Sequence, residues 1–309
     1  MAAKYDLSEI KGVIPALISC FAEDGEYDEE RQRIVVRHLL RKGVNGLYLT
    51  GSTGESFMMT PEERKRVVET VVEEVAGRVP VMAHVGAIST KVSIDLAQHA
   101  EKMGVDAVSS VPPFYWKFSD DEIFDYYREL TDSVGIPMVI YNLALAGLVG
   151  YSQLTRLAGI EGVRGMKYTA PTHDEIMRIK EEVGKDFVVY SGADQMAMSG
   201  LMFGADGIIG SFYNMVPEIY LDLYAAVRKG ELDGARERQT QANAVIAYSH
   251  EFSYLSVIKR SMKWAGADGG YCRRPFGVIN NQDEETLRTG FRKIRNEYKI
   301  TDVEVLASL

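Results

Sequence analysis

Gly43-Val44-Asn45-Gly46-Leu47, Gly104-Val105-Asp106-Ala107-Val108 and Gly204-Ala205-Asp206-Gly207-Ile208 are three renderings of one phrase. In each, a glycine ends a helical pattern, a polar residue turns the chain, and apolar residues launch a strand. A helix-to-strand junction repeated in this way marks βα units built around a parallel sheet. Working outward, strand-like runs recur at Val13 to Leu17, Gly46 to Thr50, Pro80 to His84, Asp106 to Val111, Pro137 to Tyr141, Val163 to Lys167, Phe187 to Tyr190 and Gly207 to Gly210. Longer stretches of helical period separate them. Capping boxes are expected at Thr60 with Glu63, Ser119 with Glu122, and Thr172 with Glu175, where hydroxyl and carboxylate satisfy free amides reciprocally.

Eight such units ending near Tyr213 fit a (β/α)8 TIM barrel better than an open doubly wound sheet. After the last strand come helical patterns at Pro217 to Lys229, Leu232 to Trp264 with a break, and Gln282 to Tyr298, and no further strand. The expected α/β fold is therefore a barrel over residues 1–230 and a C-terminal three-helix extension over residues 231–309.

Composition narrows the function classes. A chain of 309 residues that is 46% hydrophobic and 26% charged can bury a large core. Its net charge of -9 leaves no basic stripe for phosphates, so nucleic acid is not an expected partner. Met1 to Gly12 lacks an apolar core suited to a signal peptide, and no segment approaches the ~20 apolar residues of a membrane span. A cytoplasmic setting without membrane contact is the expectation. Cys20 and Cys272 lie far apart without metal-ligand spacing and read as core thiols. His38, His99, His173 and His250 sit on helical patterns, and no two histidines share metal-ligand spacing with a carboxylate, so no metal is expected. His84, at the end of the third strand, reads as a wall imidazole rather than a base.

A barrel places chemistry at the carboxyl ends of its strands. There the sequence puts Gly51-Ser52-Thr53-Gly54-Glu55-Ser56, Tyr141-Asn142, Lys167-Tyr168-Thr169, Gly192-Ala193-Asp194 and Ser211. A lysine brought to an apolar mouth by Val163-Arg164-Gly165-Met166 should have a depressed pKa. A neutral amine there can attack a ketone and form an imine, an electron sink for carbon–carbon cleavage. The plain alternative is a strand-end lysine snorkelling to solvent. Tyr141 on the adjacent strand has the reach to shuttle protons beside Lys167, or simply to pack at the rim. The Gly51 to Ser56 loop, with successive amides through Gly54 and two hydroxyls, suits a small carboxylate, or only connects strand to helix.

Taken in order, Gly51-Ser52-Thr53-Gly54-Glu55, Pro113-Phe114-Tyr115, Ile140-Tyr141-Asn142 and Gly165-Met166-Lys167-Tyr168-Thr169 resemble the N-acetylneuraminate lyase and dihydrodipicolinate synthase superfamily. The likeness spans Lys11-Gly12-Val13 to Arg274-Pro275-Phe276-Gly277. It implies a homotetrameric barrel in which Lys167 forms the Schiff base, Tyr141 relays protons, and Ser52 and Thr53 hold a pyruvate carboxylate. No cofactor is implied beyond the covalent lysine imine. Tyr115 corresponds to a tyrosine that reaches a neighbouring subunit's site.

The synthase branch carries an arginine where this chain has Ala146. Ala83-His84-Val85-Gly86, Val111-Pro112-Pro113-Phe114-Tyr115 and Cys272-Arg273-Arg274-Pro275-Phe276-Gly277 look more like the lyase branch. By that likeness Thr169, Gly192, Asp194, Gln195 and Ser211 hold the sugar-acid tail, and the reaction is cleavage of N-acetylneuraminate to pyruvate and N-acetylmannosamine. Two departures stand out: Gln195 replaces a carboxylate, and Leu143-Ala144-Leu145-Ala146-Gly147 lacks a proline and presents an apolar wall. They leave room for another pyruvate-dependent aldolase, synthase or dehydratase acting on a different 2-keto-3-deoxy acid. A catalytically silent sugar-acid-binding barrel would be expected to lack Lys167 or Tyr141, and both are present.

Overall fold

The computed structural model describes residues 4–309. Its eight parallel strands are β1 (Gly12–Pro15), β2 (Leu47–Leu49), β3 (Val81–His84), β4 (Ala107–Ser110), β5 (Met138–Leu143), β6 (Val163–Thr169), β7 (Val188–Ser191) and β8 (Gly207–Gly210). Each pairs with its neighbour in sequence, and β8 returns to β1 with Val13 opposite Ile208. A bridge between Ala16 and Tyr48 brings β1 against β2, with the Leu17 amide donating to the Tyr48 carbonyl at 2.8 Å. This is the expected (β/α)8 barrel.

The three opening junctions do more than turn the chain. Gly43, Gly104 and Gly204 have φ of 80°, 87° and 97°, the left-handed region that glycine enters without strain. The polar residue two positions on then caps an open strand amide elsewhere. The Asn45 Oδ1 accepts from Val13, Asp106 from Val81, and Asp206 from Val189. Each junction therefore both ends a helix and pins the start of another strand.

Side-chain alternation sorts the strands into two layers. Ile14, Tyr48, Met82, Val139, Tyr141, Val188, Tyr190 and Ile209 fill the barrel interior. Val13, Leu47, Ala83, Val108, Ile140, Met166 and Ile208 face outward into the core under the helices. A 3-10 turn at Leu7–Glu9, capped by Asp6, inserts Leu7 and Ile10 as the floor, and the Tyr190 hydroxyl donates to the Ile10 carbonyl at 2.8 Å.

The helices alternating with the strands are α1 (Glu29–Lys42), α2 (Pro61–Val75), α3 (Thr90–Met103), α4 (Asp120–Asp132), α5 (Tyr151–Ala158), α6 (Asp174–Val183), α7 (Ala197–Met202) and α8 (Pro217–Lys229). Thr60 and Ser119 form the expected capping boxes on α2 and α4. The third does not form. His173 is the N-cap of α6, and the Thr172 and Glu175 side chains both turn to the Tyr168 hydroxyl instead, at 2.6 and 2.5 Å. The phenol, delivered by β6, outcompetes the helix end for both groups.

Beyond the barrel run α9 (Leu232–Ser249), α10 (Tyr254–Met262) and α11 (Asn281–Glu297), with the expected break between the first two. A last turn, α12 (Glu304–Ala307), was not apparent in the sequence; Lys42 of α1 ties it to the barrel by pairing with Glu218 and Glu304. Among the described residues no helix is long and apolar enough to cross a membrane, and no group of three or more His, Cys, Asp or Glu is arranged to hold a metal ion.

Candidate active site

β5 and β6 run two residues past their expected ends, because pairing continues through Asn142 with Tyr168 and Leu143 with Thr169. Lys167 and Tyr141 are thus directly opposite each other inside the sheet, and Tyr190 of β7 is opposite Lys167 on the other side. The period of two turns Lys167 into the barrel. Its residue surface is 4% exposed, and its Nζ lies 4.0 Å from the centre of the Tyr141 ring and 4.4 Å from that of Tyr48. Burial pushes its pKa down from 10.5 to about 7, against a smaller upward pull from Asp194. The snorkelling alternative fails, since the amine is held over two aromatic faces and out of water.

The Tyr141 hydroxyl is raised by burial, while the Ser52 and Thr169 hydroxyls beside it draw it partway back. The phenol, the amine and two hydroxyls therefore converge in one desolvated space. The loop carrying Ser52 begins and ends in strain: Thr50 and Glu55 are non-glycine residues at φ of 50° and 55°. Thr53 shares a hydrogen bond of 2.7 Å with Ser211, and the Gly54 carbonyl accepts from Ser19 Oγ at 2.8 Å.

His84 is the expected wall imidazole. Its Nδ1 lies 3.0 Å from the Thr50 carbonyl and its Nε2 accepts from the Val111 amide, an arrangement that assigns the neutral tautomer with the proton on Nδ1. Burial, with Arg64 adding to it, holds its pKa well below the ordinary value. Its ring meets Tyr141 edge-on at 6.0 Å, so it packs the phenol and has no free nitrogen for a base's work.

At the ends of β6 to β8 the residues separate. Thr169 Oγ1 is buried near the Tyr141 hydroxyl but outside hydrogen-bond geometry with it. A Cβ on Gly192 would sit 1.9 Å from that oxygen and 3.2 Å from Lys167 Cε, so only glycine fits beside the lysine. Asp194 is buried, with Oδ2 accepting the Phe212 amide at 2.9 Å; burial raises its pKa to about 6, opposed by that amide and by Lys167. Gln195 is exposed. Ser211 is tied to Thr53, linking it to the strand-two loop rather than leaving it free for a distant group. Tyr115 is 82% exposed at φ 82°, edge-on to Trp116 at 4.8 Å.

A cavity of about 430 Å³ opens over Ser52, walled by Phe57, Phe114, Leu143, Leu145 and Tyr254. The apolar wall expected of residues 143–147 is present. The sequence reading missed Tyr48, whose ring underlies Lys167 and whose hydroxyl donates to Ser109 Oγ at 3.0 Å. Its signal was positional: it is the inward residue of the strand feeding the Gly51 loop. Glu55 was likewise read only as part of a motif, yet its carboxylate is fully buried against Lys259.

Residues 9–293 match the dihydrodipicolinate synthetase family. The chain belongs to this family. Within it, the chain is 37% identical to the N-acetylneuraminate lyase of Escherichia coli over 294 residues, 94% of this chain and 99% of that one. A catalytic lysine mutant of the Ruminococcus gnavus sialic acid aldolase superposes with a TM-score of 0.90 at 30% identity, covering 97% and 99% of the two chains. CdNal of Clostridium difficile, solved in complex with mannosamine, superposes at 0.89 and 30% identity, covering 92% and 99%. The family member described here is an enzyme of the lyase class, of the aldolase type.

Proposed function

We propose that the chain cleaves N-acetylneuraminate to pyruvate and N-acetylmannosamine through an imine on Lys167. The observation that carries this reading is a fully buried amine, with a pKa of about 7, packed against a buried phenol opposite it in the sheet. The lyase and aldolase relatives, one of them described by its catalytic lysine, support it.

At neutral pH a substantial fraction of Lys167 is unprotonated and attacks the C2 ketone. Tyr141 delivers a proton to the departing oxygen, which leaves as water. Ser52, Thr53 and the loop amides through Gly54 hold the C1 carboxylate. The resulting iminium draws the electron pair of the breaking C3–C4 bond into an enamine, as the C4 hydroxyl gives up its proton to the Tyr141 relay. The C4 fragment leaves as an aldehyde, the enamine is protonated at C3, and water releases pyruvate. Thr169, whose buried oxygen lies near Tyr141, faces this space together with Gly192 and Asp194, and Gln195 and Ser211 are assigned to the tail region, Ser211 while bonded to Thr53. The electron sink is the iminium itself, so the sequence of steps draws on no further cofactor. The reading includes a homotetramer, with the exposed Tyr115 reaching a neighbouring subunit's site.

The apolar cavity over Ser52 and the neutral, exposed Gln195 favour a second reading, in which the same imine acts on a 2-keto-3-deoxy acid with a less polar tail. The test has two arms. Borohydride added with pyruvate should leave a reduced adduct on the Lys167 peptide, and an unmodified peptide would end the imine reading. Pyruvate release from N-acetylneuraminate then separates the two readings: none, with the adduct formed, leaves only the second.

A further inference from the structure

We infer that Lys259 is a positioning residue for the keto-acid carboxylate: its buried ion pair with Glu55 holds the Ser52-Thr53 loop in the conformation that presents both hydroxyls to the site. The inference rests on the reading of that loop as the carboxylate clamp.

Lys259 stands on α10, in the C-terminal extension, 204 positions along the chain from Glu55. Both side chains are fully buried, with Nζ and Oε1 2.5 Å apart. The ammonium also donates to the Tyr271 carbonyl at 2.7 Å, and the second Glu55 oxygen accepts the Arg273 amide at 2.8 Å. Every strong partner of the carboxylate therefore comes from the extension. Arg273 in turn grips Glu63 and the Met58 carbonyl, just beyond the loop.

Such a pair is an inefficient way to stabilise a fold. Two charges lose their hydration, and an apolar pair of similar volume commonly does as well or better. What charge adds is direction. Glu55 is held in the left-handed region, where its own amide donates back to the Ser52 carbonyl at 3.0 Å. That turn sets Ser52 beside Tyr141 and Thr53 against Ser211. A strained backbone persists only where its surroundings over-determine it, and here the determinant is an ammonium from another part of the chain.

The experiment compares wild type with the double variant Glu55→Gln/Lys259→Met, which removes both charges and leaves neither unpaired. Borohydride trapping of the Lys167 adduct is followed against pyruvate concentration. The half-saturating pyruvate concentration should rise by about 10-fold or more, the effect of misplacing charge-assisted hydrogen bonds to a carboxylate. Maximal trapping at saturating pyruvate should be retained, a split that a purely structural pair would not produce. A folded double variant whose half-saturation matches wild type overturns the inference, as does a loss of maximal trapping alone. Should the double variant not unfold cooperatively, Glu55→Asp, which keeps both charges but shortens the carboxylate's reach, carries the same expectation, and failure of both to fold makes the pair a folding element and also overturns the inference. Absence of any wild-type adduct would refute the imine reading, and this inference with it.

Discussion

Replacing Lys167 by Met should make the protein more stable, by an amount that depends on pH in a defined way. The side chains are similar in length, so the change removes the amine with little change in packing. Burial lowers the lysine pKa from 10.5 to about 7. At about 1.4 kcal/mol per unit, burying the ammonium therefore costs the fold about 5 kcal/mol. The sign follows from proton uptake. As pH falls from 10.5 towards 7 the unfolded chain gains a proton at this lysine and the folded chain does not, so the fold weakens; below 7 both are protonated and the deficit is constant. Met abolishes this dependence. The gain should be about 5 kcal/mol well below pH 7, about 4 kcal/mol at pH 7 and about 1 kcal/mol at pH 10. Asp194 loses its counter-charge in the variant and returns part of this, leaving a net gain of at least about 2 kcal/mol at pH 7. For a chain of this size that is a rise in Tm of about 3 °C or more. Calorimetry on both proteins at pH 6, 7, 8.5 and 10, at matched concentration, reads it directly. A variant no more stable than wild type at pH 6 to 7, or a gain that grows with pH, would refute the claim that Lys167 is desolvated against the fold's interest.

Four further outcomes follow from the site. Tyr141→Phe should lower kcat by about 10²-fold or more with the fold intact, since the ring's contacts remain and only the relay hydroxyl goes; near-normal turnover would reduce Tyr141 to packing. Gly192→Ala places a methyl against Thr169 Oγ1 and Lys167 Cε, and should slow borohydride trapping at least about 10-fold while circular dichroism stays unchanged. The rate of trapping at saturating pyruvate should rise about tenfold per pH unit below an inflection near 7 and level off above it, as the neutral amine accumulates; an inflection near 10 would contradict the desolvated lysine. Ser211→Ala should raise the half-saturating concentration for pyruvate alone, because Thr53 loses its partner, whereas a contact to the sugar tail only would leave pyruvate trapping untouched.

The barrel was legible because it rests on periodicity and punctuation, both local. Glycines at positive φ mark the junctions, and alternation within each strand assigns the layers. Strand length was less legible: nothing in Tyr141 to Leu143 or Lys167 to Thr169 signals that pairing continues, since a ladder's end depends on its partner strand. The failed cap at Thr172 has the same origin, a competitor supplied by β6 that no local pattern announces. That Lys167 and Tyr141 stand side by side was legible from residue type and strand order. Lys259 was not, because a lysine within a helical pattern looks solvated until the fold brings a carboxylate to it.

The site's parts are joined more closely than a division into keto-acid end and tail end suggests. Asp194, which resembles a tail-binding residue, fastens the start of the segment after β8 through the Phe212 amide and modulates the charge on Lys167. Ser211, at the head of that segment, is bonded to Thr53 of the Gly51–Ser56 loop, and that loop is held by Glu55 to the C-terminal extension. Restraint therefore passes from α10 through the loop to the ends of β7 and β8 without leaving hydrogen-bonding distance by more than a few residues. A substitution at Asp194 or Ser211 acts on Lys167 and on the loop proposed to hold the carboxylate as well. Altered substrate choice in this chain would come more cleanly from Gln195 and from Leu145, which are exposed and carry none of these bonds.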